Sequence, residues 1–424
     1  MLVAVVMLFV VGAMAALSID VVTLYTARSE AQLAADGAAL AGARVLANSG
    51  MTSASDSTVG IAAVPWATAV AQQVAASNPV GGKNLSAAGA CPGGEICVSI
   101  NELDANFVAN PRVTVQVQRT DLPTFFARIW GRTTIAVKAS ATAEAYNPSN
   151  VPGTALNPKL PVAPMCVKPW LLPNMSPAAA GQIFIPATGA IVDTTLLGWT
   201  SVNTSPPTRL QPACTNCSVP PLPTPAAWNY YAGDPASFPA PTQALPTCNP
   251  PLTTAYQESV AGCIQTPIAC NGTATIDISD YGTRDTETSH AVNCLTHAAA
   301  GEADQVDLTA APSPPFQFLV GADTPVAVVN PSLAGKDAMV SDSLVTVPVF
   351  DNSGTWPPPG PVQIVGFVQL FLNPDGDATP NTGPNRGHMK TTVTNLVGCG
   401  TGIAPTQPIL GNGASPVAVR LISP

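Results

Sequence analysis

Nineteen residues without a charge open the chain, Met1 to Ile19, and the first charged side chain is Asp20. As a helix this run is roughly 28 Å long at about 1.5 Å per residue, just enough to cross a hydrocarbon core. The pattern then becomes alanine-rich without a break, and only Gly12 interrupts the good helix formers between Met1 and Asp36. At helical spacing Leu24, Ala27, Ala31, Ala34, Ala35, Ala38 and Gly42 share one face, and Asp20 points toward it. Small residues at this spacing let helix backbones approach closely, in membranes and in helix-cored filaments. A helix over 1–48, half membrane span and half stalk, is expected.

Further on the period changes. "TVGIAAVPWATAVAQQVAA" (Thr58–Ala76) reads as a second helix, interrupted or started near Pro65. "EICVSIN", "RVTVQVQR" and "TTIAVKASATAEA" alternate as strands do, and "PTFFARIW" before Gly131 reads as a short helix. Residues 49–146 should form a small α+β domain. Residues 147–251 are dense in proline, which removes a donor and fixes φ, so an irregular but ordered region held by disulfides is expected. From 252 to 424 the runs "DSLVTVPVFD", "VQIVGFVQLFL" and "MKTTVTNLVGCG" alternate with turn clusters and predict a mostly antiparallel β domain. The fold class is therefore α+β.

Composition narrows the setting. In 424 residues only 10% are charged, 45 are proline, and the net charge is −9 without any Lys/Arg cluster. Nucleic acid is excluded as a partner on that ground, since phosphate binding needs a concentrated basic surface. The ten cysteines, Cys91, Cys97, Cys166, Cys214, Cys217, Cys248, Cys263, Cys270, Cys294 and Cys399, all follow the apolar run. An even number after such a segment suits an oxidising compartment and up to five disulfides. Cys91–Cys97 and Cys263–Cys270 could close short loops.

Two readings of the apolar run compete. Ala13-Met14-Ala15 is an A-x-A cleavage pattern, which would make the protein a secreted, disulfide-rich binding or adhesive protein released after Ala15. The uninterrupted helix into the alanine face instead favours a permanent anchor. Neither finds positive residues before the apolar run, so translation is expected to begin upstream of Met1, at basic codons. Asp20 also has two readings: a solvated helix end leaving the bilayer, or a carboxylate that sets register by pairing with a neighbour's positive group.

"AALSIDVVTLYTARSEAQLAADGAALAGARVL" (Ala15–Leu46) resembles the N-terminal segment of the TadG-like proteins of Flp (Tad) pilus assembly. Asp20, Tyr25, Arg28, Asp36, Ala39, Leu40 and Ala43 stand at that family's positions, and "VTVQVQRTDLPTFFARIWGRTTIAVKASATAEA" (Val113–Ala145) resembles its strand, helix, strand block. The missing basic N-terminus is the departure. The resemblance implies a single-pass component of the bacterial inner membrane. Its body would lie in the periplasm or outside, and its partners would be the cytoplasmic membrane and other Tad pilus or envelope proteins. The helix-packing residues would be Asp20, Tyr25, Ala27, Arg28, Ala31, Ala35, Asp36, Ala38 and Gly42. The Asp-x-Ser-x-Ser of the von Willebrand A domain found in other members is absent.

Candidate chemistry is sparse. His290, Cys294 and His297 would share a helical face with zinc-like donors, the basis for a periplasmic metallohydrolase reading, but a fourth ligand is not evident. Cys214-x-x-Cys217 lies among prolines without a βαβ context. "NPDGDATPNTG" offers Asn373, Asp375, Asp377 and Asn381 as oxygen donors but lacks the spacing of an EF-hand. No nucleophile elbow, His-Glu-x-x-His or phosphate loop occurs. A non-enzymatic protein without a cofactor, a catalytic residue or a metal ligand is expected.

Overall fold

The computed structural model describes residues 2–53, 57–87, 91, 93–101, 110–150, 160–179, 181–198, 210–213, 221–224, 228–277, 284–297, 303–306, 315–336, 340–373, 386–400, 409–410 and 415–423. Helix α1 runs from Leu2 to Asn48 and α2 from Ser57 to Ser77. Pro65 lies within α2 on its exposed face and does not break it. The expected interruption is absent, because α2 is held by Ala63, Ala67, Ala71 and Ala75 on its buried face.

Strands β1 (Ile96–Asn101), β2 (Arg112–Pro123) and β3 (Thr134–Tyr146) form an antiparallel meander. Their alternation decides the layer. Val113, Val115 and Val117 of β2 and Ala139, Ala141, Ala143 and Ala145 of β3 turn inward, against α1. Alanine on helix and sheet alike lets them approach closely; at Gly42 an added Cβ would lie 3.0 Å from Val113 Cγ1 and 3.3 Å from the Ala67 carbonyl oxygen. Gly131, with φ 79°, ends a short 3₁₀ turn (Ala127–Trp130) between β2 and β3.

The proline-rich stretch is less irregular than its composition implies. β4 (Val162–Ala163), β5 (Trp170–Pro173), β6 (Gln211–Pro212) and β7 (Asn229–Ala232) arise there. Prolines fall at the ends of β5 and β6, so the short apolar runs between them remain free to pair. β8 (Thr273–Ala274), β9 (Gln305–Val306), β10 (Phe318–Leu319), β11 (Leu344–Phe350), β12 (Val362–Leu372), β13 (Thr391–Gly398), β14 (Ile409–Leu410) and β15 (Ala418–Ser423) follow. The large sheet has the order β13-β12-β11-β5-β7-β6, with β8 beside β12. It is antiparallel from β11 to β13, while β5 pairs parallel to β11. Trp170, Trp228 and Tyr230, from the proline-rich region, fill its core. Helices α3 (Ala255–Ala261), α4 (Arg284–Leu295) and α5 (Pro325–Val329) complete the body.

The last strand crosses the boundary read at residue 252: β15 pairs antiparallel with β3, adding the chain's C-terminal strand to the first sheet. Arg420 secures it, donating from Nε (3.0 Å) and Nη2 (2.8 Å) to Glu144 Oε2 and lying 4.5 Å over the Tyr146 ring. Four disulfides occur among the described residues: Cys91–Cys97, Cys166–Cys263, Cys248–Cys294 and Cys270–Cys399. The short Cys263–Cys270 loop does not form, because each partner staples its own segment to a distant one. Cys214 and Cys217 lie outside the described residues.

Candidate functional site

Helix α1 divides into two environments. The described positions from Val3 to Ile19 carry no buried residue; Met7, Val11 and Met14 are each about two-thirds exposed. Among the residues whose burial is described, Asp20 is the first buried one, and from Ala27 onward one face is sealed: Ala27, Ala31, Ala34, Ala35, Ala38, Ala39 and Ala43 are all buried. The small-residue face is occupied by the chain's own α2, β2 and β3. What the sequence offered as a surface for neighbouring helices is, in this chain, the seam between stalk and body.

Asp20 follows neither expected reading. Its Oδ1 accepts from the Phe125 backbone N–H at 2.8 Å, and its Oδ2 from Phe126 at 3.0 Å and Ala127 at 2.7 Å. These are the orphan donors that start the 3₁₀ turn, and a carboxylate is the strongest acceptor available to them. It sets register, but against its own body and through backbone rather than a cation. Glu30 repeats the device, accepting from the Gly81 N–H at 2.5 Å, while Gln32 donates to Asp36 Oδ1 at 2.7 Å. At the far end, Asn395 Nδ2 on β13 donates to the Ala47 carbonyl at 2.8 Å, one of the helix's unpaired terminal acceptors.

The remaining predicted residues face elsewhere. Tyr25 (69% exposed) and Leu33 (68%) project from the body together with Val22 (64%), forming one stripe at helical spacing. Arg28, also exposed, flanks it. The predicted set therefore splits: Asp20, Ala27, Ala31, Ala35, Ala38 and Gly42 bind helix to body, Asp36 lies half-buried, and Tyr25 and Arg28 face outward. Sequence reading missed the donors at Phe125–Ala127, Gly81 and Asn395; these are backbone groups or neutral amides, which carry no composition signal.

The zinc-like cluster is dispersed. Cys294 is bonded to Cys248, so its sulfur is no ligand. His290 lies 2.7 Å from the Pro250 carbonyl oxygen and 3.2 Å from Gln257 Nε2. His297 lies beyond the end of α4, with φ 56°, 3.3 Å from Asp342, whose hydrogen bond raises the imidazole pKa. Among the described residues no group of three or more His, Cys, Asp or Glu is placed to hold a metal. Of the possible calcium donors, Asp375, Asp377 and Asn381 lie outside the described residues, and Asn373 donates to Thr392 at 2.8 Å.

A cavity of about 340 Å³ lies where the end of α1 meets the body, lined in part by Arg44, Lys168, His297, Asp342 and the Cys166–Cys263 pair. Burial pushes the Lys168 ammonium pKa down to about 7, and its Nζ donates to the carbonyls of Val260 (2.6 Å) and Gly262 (2.7 Å). It ties the Cys263 loop to the body.

Residues 1–45 match the family described as Flp pilus-assembly TadE/G-like. The match makes the N-terminal helix similar to that family and covers 45 of the 424 residues. No curated protein and no solved structure matches the chain. The matched span covers the exposed apolar segment, the Asp20 clasp and the alanine seam. The TadE/G-like segment is thus a single helix, long and apolar enough to cross a membrane, whose second half is part of the body's core.

Proposed function

We propose that this chain is a non-enzymatic structural or assembly component of a Flp/Tad pilus system, held in the bacterial inner membrane by residues 1–19 with its body in the periplasm or beyond. The division of α1 carries this reading: an apolar segment none of whose described side chains is buried continues, without a break, into a helix the body encloses. Such a joint transmits position and force between membrane and body. The outward stripe of Val22, Tyr25 and Leu33 with Arg28 just above the membrane is the surface offered to other Tad or envelope proteins. Cell fractionation with detection of the chain in membranes and in sheared pili tests it. Retention in membranes or fibres, with the mature chain still containing residues 1–15, supports the reading; a free chain beginning at Ala16 overturns it.

That second outcome belongs to a secreted binding or adhesive protein. One observation favours it: of Ala13-Met14-Ala15, Met14 and Ala15 are exposed and Ala13 is half-buried, in a stretch of α1 where no described residue is buried. Cleavage there would leave Asp20 and everything it holds in place.

A further inference from the structure

The connection between β2 and β3 carries a solvent-facing apolar surface that the assembly role does not use. Phe125 is 62% exposed and Phe126 half-buried, yet the loop beneath them is firmly built. Thr124 Oγ1 donates to the Arg132 carbonyl, Arg132 N–H donates to Ala127 O at 3.1 Å, and Gly131 N–H donates to Arg128 O at 2.9 Å. A large aromatic ring held outward on an ordered loop is a feature that water disfavours and an apolar partner would reward.

The position of the loop names that partner. Asp20 grips residues 125–127 at the point where α1 leaves the body, one residue beyond the exposed run that ends at Leu17 and Ile19. The tip therefore sits at the level where the apolar segment would enter a bilayer. Its charges agree. Between Pro123 and Arg132 the charged residues are Arg128 and Arg132, both exposed, and no acidic side chain occurs. The nearby Asp121 is engaged by Arg119 Nε at 2.9 Å and Lys83 Nζ at 3.0 Å. Aromatic rings beside arginines are what the boundary between headgroup phosphates and acyl chains favours.

We propose that the β2–β3 tip is a second membrane contact, with Phe125 entering the interface of an anionic bilayer and Arg128 and Arg132 binding its phosphates. The contact rests on the anchoring reading and deepens it. One helix alone leaves the body free to tilt and swivel; a helix and a tip joined by Asp20 fix its orientation on the membrane. That orientation decides which way the stripe of Val22, Tyr25 and Leu33 faces.

The test uses the full chain in nanodiscs containing phosphatidylglycerol. Met14, Phe125 or Val329 is replaced singly by the photo-crosslinking amino acid p-benzoylphenylalanine; Val329, at the end of α5, is 87% exposed. Lipid adducts at 14 and 125 but not at 329 are expected, read by mass spectrometry. Reversing the two charges (Arg128→Glu with Arg132→Glu) is expected to cut the adduct at 125 by about fivefold or more while sparing that at 14. A lipid adduct at 14 with none at 125 overturns the tip contact and leaves the anchor standing. No lipid adduct at either position overturns the anchor and the contact with it. A protein adduct at 125 in place of lipid overturns the contact in favour of a subunit interface.

Discussion

Asp20 Oδ2 lies 2.7 Å from the backbone nitrogen of Ala127, 107 positions along the chain, and this contact joins the helix that leaves the body to the loop at the body's base. The same carboxylate holds Phe125 and Phe126. Asp20→Ala removes both acceptor oxygens and all three hydrogen bonds at once. Backbone amide exchange at Phe125, Phe126 and Ala127 is expected to accelerate by roughly tenfold or more, while β1 keeps its protection. Asp20→Asn retains one carbonyl oxygen and should fall between. Unchanged exchange in the alanine variant would remove the clasp from the account.

At Gly42, α1 lies tightly against both α2 and β2. Its missing Cβ would meet Val113 Cγ1 at 3.0 Å and Ala71 Cβ at 3.3 Å. Gly42→Leu must push apart a seam built of alanine, at a cost of about 1–3 kcal/mol. Denaturant melts of the purified protein should show the loss, and Leu33→Ala, on the exposed face, should show little.

Arg420 binds the final strand through Glu144, whose side chain is nearly buried. Arg420→Ala leaves that carboxylate with Arg112 at 3.7 Å as its remaining cation, and β15 is expected to fray. A stability loss of about 1–3 kcal/mol, with faster exchange along Ala418–Leu421, is expected. An exchange pattern identical to the parent's would show that strand pairing alone holds β15.

Lys168 makes stability depend on pH. Burial lowers its folded pKa to about 7 from an ordinary 10.5. Between those values the unfolded chain binds the extra proton, so this group's contribution rises as pH rises from about 7 toward 10.5 and is lowest below 7. Lys168→Met should flatten the slope of the urea midpoint between pH 7 and 9. A slope equal to the parent's would show that Lys168 titrates normally.

Non-reducing peptide maps should recover Cys166 linked to Cys263 and Cys270 linked to Cys399. A Cys263–Cys270 peptide would contradict the staple pattern. Loss of Cys270–Cys399, which closes a separation of 129 residues, should cost about 3–5 kcal/mol.

Local pattern alone determined much of this protein. The charge-free run and its unbroken helical continuation, the strands at Ile96–Asn101, Arg112–Pro123 and Thr134–Tyr146, and the long strands near the C-terminus all follow from periodicity, which neighbouring residues supply by themselves. The resemblance over the first helix was legible for the same reason, since its spacing lies within one element. Tertiary structure decided what each helix face meets. An alanine stripe shows that something comes close but not what, and only the folded chain reveals that its own sheet fills the place. It also decided the partner of Asp20, three backbone N–H groups that every non-proline residue carries, as well as the cysteine pairing and the return of β15 to the first sheet. These depend on segments far apart in sequence meeting in space, and no local pattern records that meeting.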